Sequence, residues 1–179
     1  MPRRRVFYSF HYDRDVFRVQ LIRQMGVIDD DKPVQPNPWE EVRRHSPDTI
    51  KRWINGTMAS CSCVVVLIGY QTATRPWVKY EIERGWNEGK GLLGIFLNKL
   101  PSMDNGYDPE GPNPLSRFEL REHPNCNLGD IVPVKENKNY NDIRENLVNW
   151  VEEAIAVRTR YVDIPCKKTM AERIYGDIM

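Results

Sequence analysis

Apolar residues follow two rhythms along this chain. In the first they run unbroken. SCVVVLIG at 62–69 is a continuous, β-branched stretch without alternation, as expected of a strand buried on both faces. GLLGIFLN at 91–98 repeats the pattern, RVFYSF at 5–10 is rich in β-formers, and DIVPV at 130–134 reads as a last strand. Between these runs the spacing changes to three and four. After Asp13 as N-cap, Phe17, Leu21 and Met25, with Val16 and Ile22 beside them, make one stripe of a helix over 14–25, which Gly26 stops. Ser46-Pro47 opens a second helix with Ile50, Trp53, Ile54 and Met58 on its apolar face. Pro76 opens a third, reaching about 89, whose Val78, Ile82, Gly85, Trp86 and Gly89 face the sheet. A fourth, over 140–157, carries Ile143, Leu147, Trp150, Val151 and Ile155 on one side. A short helix is expected from Lys168, within a helical tail at 158–179.

Two stretches keep neither rhythm. VIDDDKPVQPNPW, within 27–45, has room for a short edge strand near 27–28 and otherwise reads as loop. Residues 99–130, rich in proline and glycine, read as an irregular insertion with one helical turn near 114–121. Strands alternating with helices predict an α/β fold in one domain spanning 1–179. Its sheet is doubly wound and mainly parallel, with helices on both faces.

Composition narrows the partners. The chain is 40% hydrophobic and 28% charged, with a net charge of +1, so no bulk field draws it to nucleic acid or an anionic membrane. No apolar run approaches a membrane span, and no signal segment opens the chain, which points to the cytoplasm. Cys61 and Cys63 share one strand face as core thiols, while Cys126 and Cys166 stand apart. No CxxC pair and no zinc-type histidine spacing predicts a metal site.

On a doubly wound sheet ligands gather at the carboxyl ends of the strands. Those segments are SFHYD, GYQTATRPW and LNKLP. None contains GxGxxG, GxxxxGK[ST] or GxSxG, and Ile68-Gly69 ends its strand with no aspartate to phosphorylate. Plotted at about 100° per residue, the helix from Pro76 turns Lys79 and Glu83 to water. Glu81 falls roughly 60° from Val78, at the boundary, on one edge with Trp77 and Glu88. Two readings of Glu81 stand: a carboxylate reaching a crevice at the strand ends, or simple compensation of the helix dipole. Trp77 is likewise a lid residue or ordinary packing.

The motifs resemble a family. RVFYSFHYDRD resembles the opening strand and loop of TIR domains, and CSCVVVLIGYQTATRPWVKYEIERG their third strand and W-x-x-x-E helix, with Trp77 and Glu81 at the motif's spacing. The opening is similar to that of the TIR-like group of bacterial Thoeris anti-phage systems that includes ThsB. The likeness covers 4–98 well and 130–157 by element order; the loop 29–45 and the insertion 99–130 depart from it. It implies a flavodoxin-like/TIR-like fold and a glutamate, Glu81, required to cleave NAD. NAD would be substrate, with no resident cofactor.

The chemistry fits one carboxylate. Breaking the nicotinamide–ribose bond gives an oxocarbenium-like cation, and nicotinamide, already cationic, leaves without protonation. Glu81 would hold the ribose and stabilise that charge. Trp77 would shelter the site and Ser9 would bond ribose or phosphate. Phe10 would stack on a flat ring or pack in the core, and His11 would line the crevice or lie solvated in a loop. Capture by water yields ADP-ribose; capture within the nucleotide yields a cyclic ADP-ribose isomer. The resemblance implies the cyclic product, with an effector protein that it activates. A phage-derived activator, a homo-oligomer, and the loop 29–45 with Trp39 as lid or contact surface are further expectations. A non-catalytic interaction module and a nucleotide binder without turnover are the alternatives.

Overall fold

The computed structural model describes residues 4–26, 28, 45–103 and 106–175. Its central sheet is parallel, ordered β1 (Val6–Ser9), β2 (Cys63–Ile68), β3 (Gly91–Phe96) and β6 (Val134–Lys135). Ser9 pairs with Val66, and Ile68 with Phe96, so the carboxyl ends of these strands form one rim. Most of 27–45, with Trp39 and Val27 of the expected edge strand, lies outside the described residues, and Ile28 is a buried bend.

The unbroken apolar runs are explained by helices on both faces. Cys63, Val65 and Leu67 of β2 pack with Val19 and Ile22 of α1 (Tyr12–Gln24) and with Ile143, Leu147, Val151 and Ala154 of α5 (Tyr140–Thr159). Val64, Val66 and Ile68 pack the other way, against Ile50, Ile54 and Met58 of α2 (Pro47–Ala59) and Val78, Ile82 and Trp86 of α3 (Pro76–Asn87). The Ser46 hydroxyl caps α2, accepting from the Thr49 N–H at 3.4 Å. Gly85 lets α3 lie close on β2, because a Cβ there would stand 2.7 Å from Val64 Cγ2. Truncating a fully buried side chain such as Ile82 to alanine costs about 2–5 kcal/mol.

A second, antiparallel sheet covers the outer side of α3. Its order is β5 (His123–Asn127), β4 (Phe118–Leu120), β7 (Cys166–Lys168). Phe118, Leu120 and Cys166 join the cluster that holds Ile82 and Trp86. The Trp86 indole N–H donates to the Ile164 carbonyl at 2.9 Å, and the Cys166 N–H to Asn87 Oδ1 at 2.8 Å. Thus the stretch 99–130, expected to be irregular, supplies two strands, and the tail 158–179 supplies a third before helix α6 (Met170–Tyr175). Residues 114–117 do form a turn, a 3-10 helix over Pro114–Arg117.

Other expectations are corrected. The N-cap of α1 is His11, not Asp13, and its buried face is Asp15, Arg18, Val19 and Ile22. Phe17, Leu21 and Met25 are only half-buried; the helix is rotated toward a pair of charges that neutralise each other, Arg18 Nη1 and Asp15 Oδ1 at 2.9 Å. Lys79 is not in water. It is 5% exposed and ion-paired to Glu172 of α6, which also binds Arg117 at 3.0 Å. Helix α3 stops before Gly89, which is exposed with φ +80°. Within 130–134, Asp130 and Ile131 belong to a short helix, α4 (Leu128–Ile131), because the Asn127 side chain caps it at the Gly129 N–H, 2.6 Å away.

Candidate active site

The site is built where β1 ends. Side chains alternate along a strand: Phe7 faces the α3 side, whereas Val6, Tyr8 and Phe10 face α1 and α5. Ser9 therefore points at α3, and its hydroxyl donates to Glu81 Oε2 at 2.5 Å. Ser9 is fully buried and Glu81 is 5% exposed. Two features of the sequence put Glu81 there. Pro76 fixes where α3 begins, and the apolar face of Val78, Ile82 and Trp86 fixes its rotation.

Among the described residues the Glu81 carboxyl meets this hydroxyl and no cation. Burial pushes its pKa up to about 8, and the Ser9 hydrogen bond, which favours the anion, offsets only part of that. Dipole compensation is worth about 0.3–1 kcal/mol at a helix end and fades within the first turn. It does not account for an uncompensated carboxyl this deep.

The remaining expected residues divide. His11 is buried at the N-cap of α1 rather than solvated. Burial first, and then Arg75, lower its pKa, which leaves the ring neutral at pH 7. Its Nδ1 has no partner among the described residues. Trp77 is half-buried, one turn from Glu81, with its ring set edge-on to Tyr80 at 6.0 Å. Phe10 is not brought to the Ser9–Glu81 pair. It packs on the opposite face, 6.2 Å from the Tyr12 ring, because neighbours in a strand point oppositely.

Sequence reasoning missed most of the unpartnered polar groups along this rim. Buried side-chain atoms without a partner among the described residues include His11 Nδ1, Asp15 Oδ2, Arg18 Nη2, Arg75 Nε, Asn98 Oδ1 and Asn137 Oδ1. Each follows a strand of the parallel sheet or opens the helix after it. Buried polar groups are normally satisfied, so this rim is where the fold leaves hydrogen-bonding capacity unspent. Asp15 abuts Gly69 at the end of β2, where a Cβ would lie 2.2 Å from Asp15 Oδ2. Burial raises the Asp15 pKa against the pull of Arg18. The usable signal is the i,i+3 spacing of Asp15 and Arg18, which an apolar stripe alone does not reveal. Among the described residues no three His, Cys, Asp or Glu side chains form a metal cluster, and no helix is long and apolar enough to cross a membrane.

Chemically, this is a carboxyl held out of water beside a hydroxyl, on a rim with free donors and acceptors. Such a group stabilises a nearby positive charge more strongly than it would in solvent. A parallel α/β sheet with this carboxyl on a W-x-x-x-E helix beyond its second described strand defines a TIR-like domain. The chain belongs to the family described as Thoeris protein ThsB, TIR-like domain, whose profile matches residues 7–102. It is also similar to a curated protein of Bacillus cereus (strain MSX-D12) named "Putative cyclic ADP-D-ribose synthase ThsB1", 35% identical over 117 residues. That alignment covers 63% of this chain and 61% of the relative, so the chain spans under two thirds of the relative's length. The family match contains Ser9, His11, Trp77 and Glu81 and ends before the second sheet.

Proposed function

We propose that this domain cleaves the nicotinamide–ribose bond of NAD and makes a cyclic ADP-ribose isomer. The observation that carries the reading is the buried Glu81 carboxyl, hydrogen-bonded to Ser9 at the strand ends with no cation among the described residues. Kinship to the ThsB TIR-like family supports it, as does the relative named a cyclic ADP-D-ribose synthase.

In this reading Glu81 is the catalytic carboxylate. The C–N bond breaks, its electron pair leaves with the pyridinium nitrogen, and nicotinamide departs neutral. The ribosyl cation left behind is held by ionised Glu81 until a nucleophile within the same nucleotide captures it and its proton passes to solvent. Water in that place gives ADP-ribose. Ser9 orients the carboxylate, and Trp77 screens the bond from solvent. His11, neutral, offers a ring nitrogen to the ribose or phosphates. A cationic substrate also favours ionised Glu81, since an opposite charge nearby lowers a carboxyl's pKa. The cyclic nucleotide is a signal for a partner effector in anti-phage defence, made when infection supplies a trigger.

The test is incubation of the purified protein with NAD, with and without lysate from phage-infected cells. Nicotinamide is followed by chromatography beside Glu81→Gln. Release that depends on Glu81 supports the enzyme, and the co-product names the reaction. No release from folded protein in either condition would favour an interaction module.

A further inference from the structure

In α1, the helix that follows Ser9 at the same carboxyl rim of the sheet, two arginines share one carboxylate. Asp108 Oδ1 accepts from Arg14 Nη2 at 2.6 Å, and Asp108 Oδ2 from Arg18 Nη1 at 2.7 Å. Both arginines lie in the first turns of α1, directly after the β1 end that holds Ser9. Arg18 is 1% exposed and held rigidly: its Nε donates to the Leu100 carbonyl at 3.1 Å and its Nη1 also to Asp15. Yet its Nη2 has no acceptor among the described residues. Arg14 is part-exposed, with its guanidinium over the Tyr70 ring. Arg14 and Arg75 both act electrostatically on His11, two residues from Ser9.

Asp108 arrives differently. It sits in 106–113, a run with neither helix nor strand, anchored at Gly111, which lies so close on the Gly69 carbonyl that a Cβ would stand 2.2 Å from it. So a rigid Arg18 guanidinium with a spare buried donor, and a part-exposed Arg14 beside it, are met by an anion on an irregular segment. Two arginines set to grip one two-oxygen anion suit phosphate equally well, because guanidinium geometry matches both.

The geometry points to Arg14 and Arg18 as the seat of the nucleotide's diphosphate, with Asp108 as an internal anion that occupies the seat until the nucleotide displaces it. This deepens the NAD-cleaving reading and rests on it for the identity of the substrate. A dinucleotide whose ribose meets Glu81 carries its diphosphate along the same rim, toward α1. Asp108 then weakens resting affinity by competition, and Arg18 Nη2 gains the acceptor it lacks.

The sign of one substitution separates this from a structural role. ADP, which has no glycosidic bond to nicotinamide, is titrated by calorimetry into the native chain, Asp108→Asn and Arg14→Gln. Asp108→Asn should bind ADP roughly tenfold more tightly, and Arg14→Gln roughly tenfold more weakly, the scale of one charge-assisted hydrogen bond. Inorganic pyrophosphate should raise the melting temperature of the native chain and raise it more in Asp108→Asn. Unchanged or weaker ADP binding by folded Asp108→Asn overturns the proposal, as does native affinity in Arg14→Gln. Because ADP binding needs no turnover, success here alongside absent nicotinamide release would sink the cleavage reading alone.

Discussion

Two glutamates are buried against the same helix, and they are equipped in opposite ways. Glu172, on α6, closes on Lys79 and Arg117, with its side chain 1% exposed. Glu81, two residues along α3 from Lys79, has the Ser9 hydroxyl and no cation among the described residues. A carboxylate kept for structure brings its counter-charges into the core, because an unpaired buried charge costs several kcal/mol. Glu81 lacks them, and its pKa rises to about 8. The fold bears that cost at one place, the rim where ligands of this architecture bind. If the comparison holds, the two residues should fail in different assays.

The largest difference is in chemistry. Glu81→Gln should reduce nicotinamide release from NAD by at least about 10²-fold, the range for removing one preorganised electrostatic group. The same variant should be more stable. Glu81 binds its proton up to about pH 8 in the fold, against 4.5 for a free glutamate side chain. Between these values the unfolded chain holds fewer protons, so stability falls as pH rises through the window. Gln escapes the penalty. Melting curves should show a gain that is small at pH 5 and grows to at most about 4 kcal/mol near pH 8. A melting temperature lowered at pH 8 would make Glu81 a structural residue and undo the comparison.

Glu172→Gln should do the reverse. It removes the charge that faces buried Lys79 and part-exposed Arg117, at a cost of about 3–5 kcal/mol, or a drop of roughly 6–20 °C in melting temperature for a chain of this size. Nicotinamide release per folded molecule should stay within about twofold. Equal losses of release and stability would mean that α6 shapes the site through α3.

How far these roles could be read from sequence follows the range of the interactions. The parallel strands, the Ser46 cap of α2 and the placement of α3 were legible because each depends on nearby residues: apolar runs, a cap, a proline. Arithmetic along α3 put Glu81 at the helix edge, but not in the core. Its burial against Ser9, and that of Lys79 against Glu172 of α6, rest on partners 72 and 93 residues away, beyond the reach of helix arithmetic. HPNCN at 123–127 carries no strand signal of its own; its pairing with β4 makes it one. Asp15 and Arg18 were lost because two mutually neutralising charges on a buried face look like a solvated face. Strand alternation alone separates Phe10 from Ser9 and turns it to the α1 face.

A smaller effect is the pH profile. The ionised Glu81 is the active form, so kcat/KM, which reports the free enzyme, should rise with pH and level off above its pKa of about 8. Between pH 7 and pH 9 the ionised fraction climbs from about one tenth to about nine tenths, an increase of roughly tenfold. His11, neutral across this range because its pKa is lowered, should add no inflection. A flat profile from pH 6 to 9 would show that burial does not control the carboxyl in solution.

Ser9→Ala sharpens the comparison with the least disturbance. The hydroxyl is the one hydrogen bond that lowers the Glu81 pKa, and a bond to a charged group is worth about 1.5–3 kcal/mol. Without it the inflection in kcat/KM should move upward by about a unit or more. At pH 7 the rate should therefore fall several-fold to about tenfold, while at higher pH it should approach that of the native chain. Loss that persists unchanged at high pH would instead place the hydroxyl on the substrate. In that case Ser9 acts by binding, and the low rate at neutral pH belongs to burial of Glu81 alone.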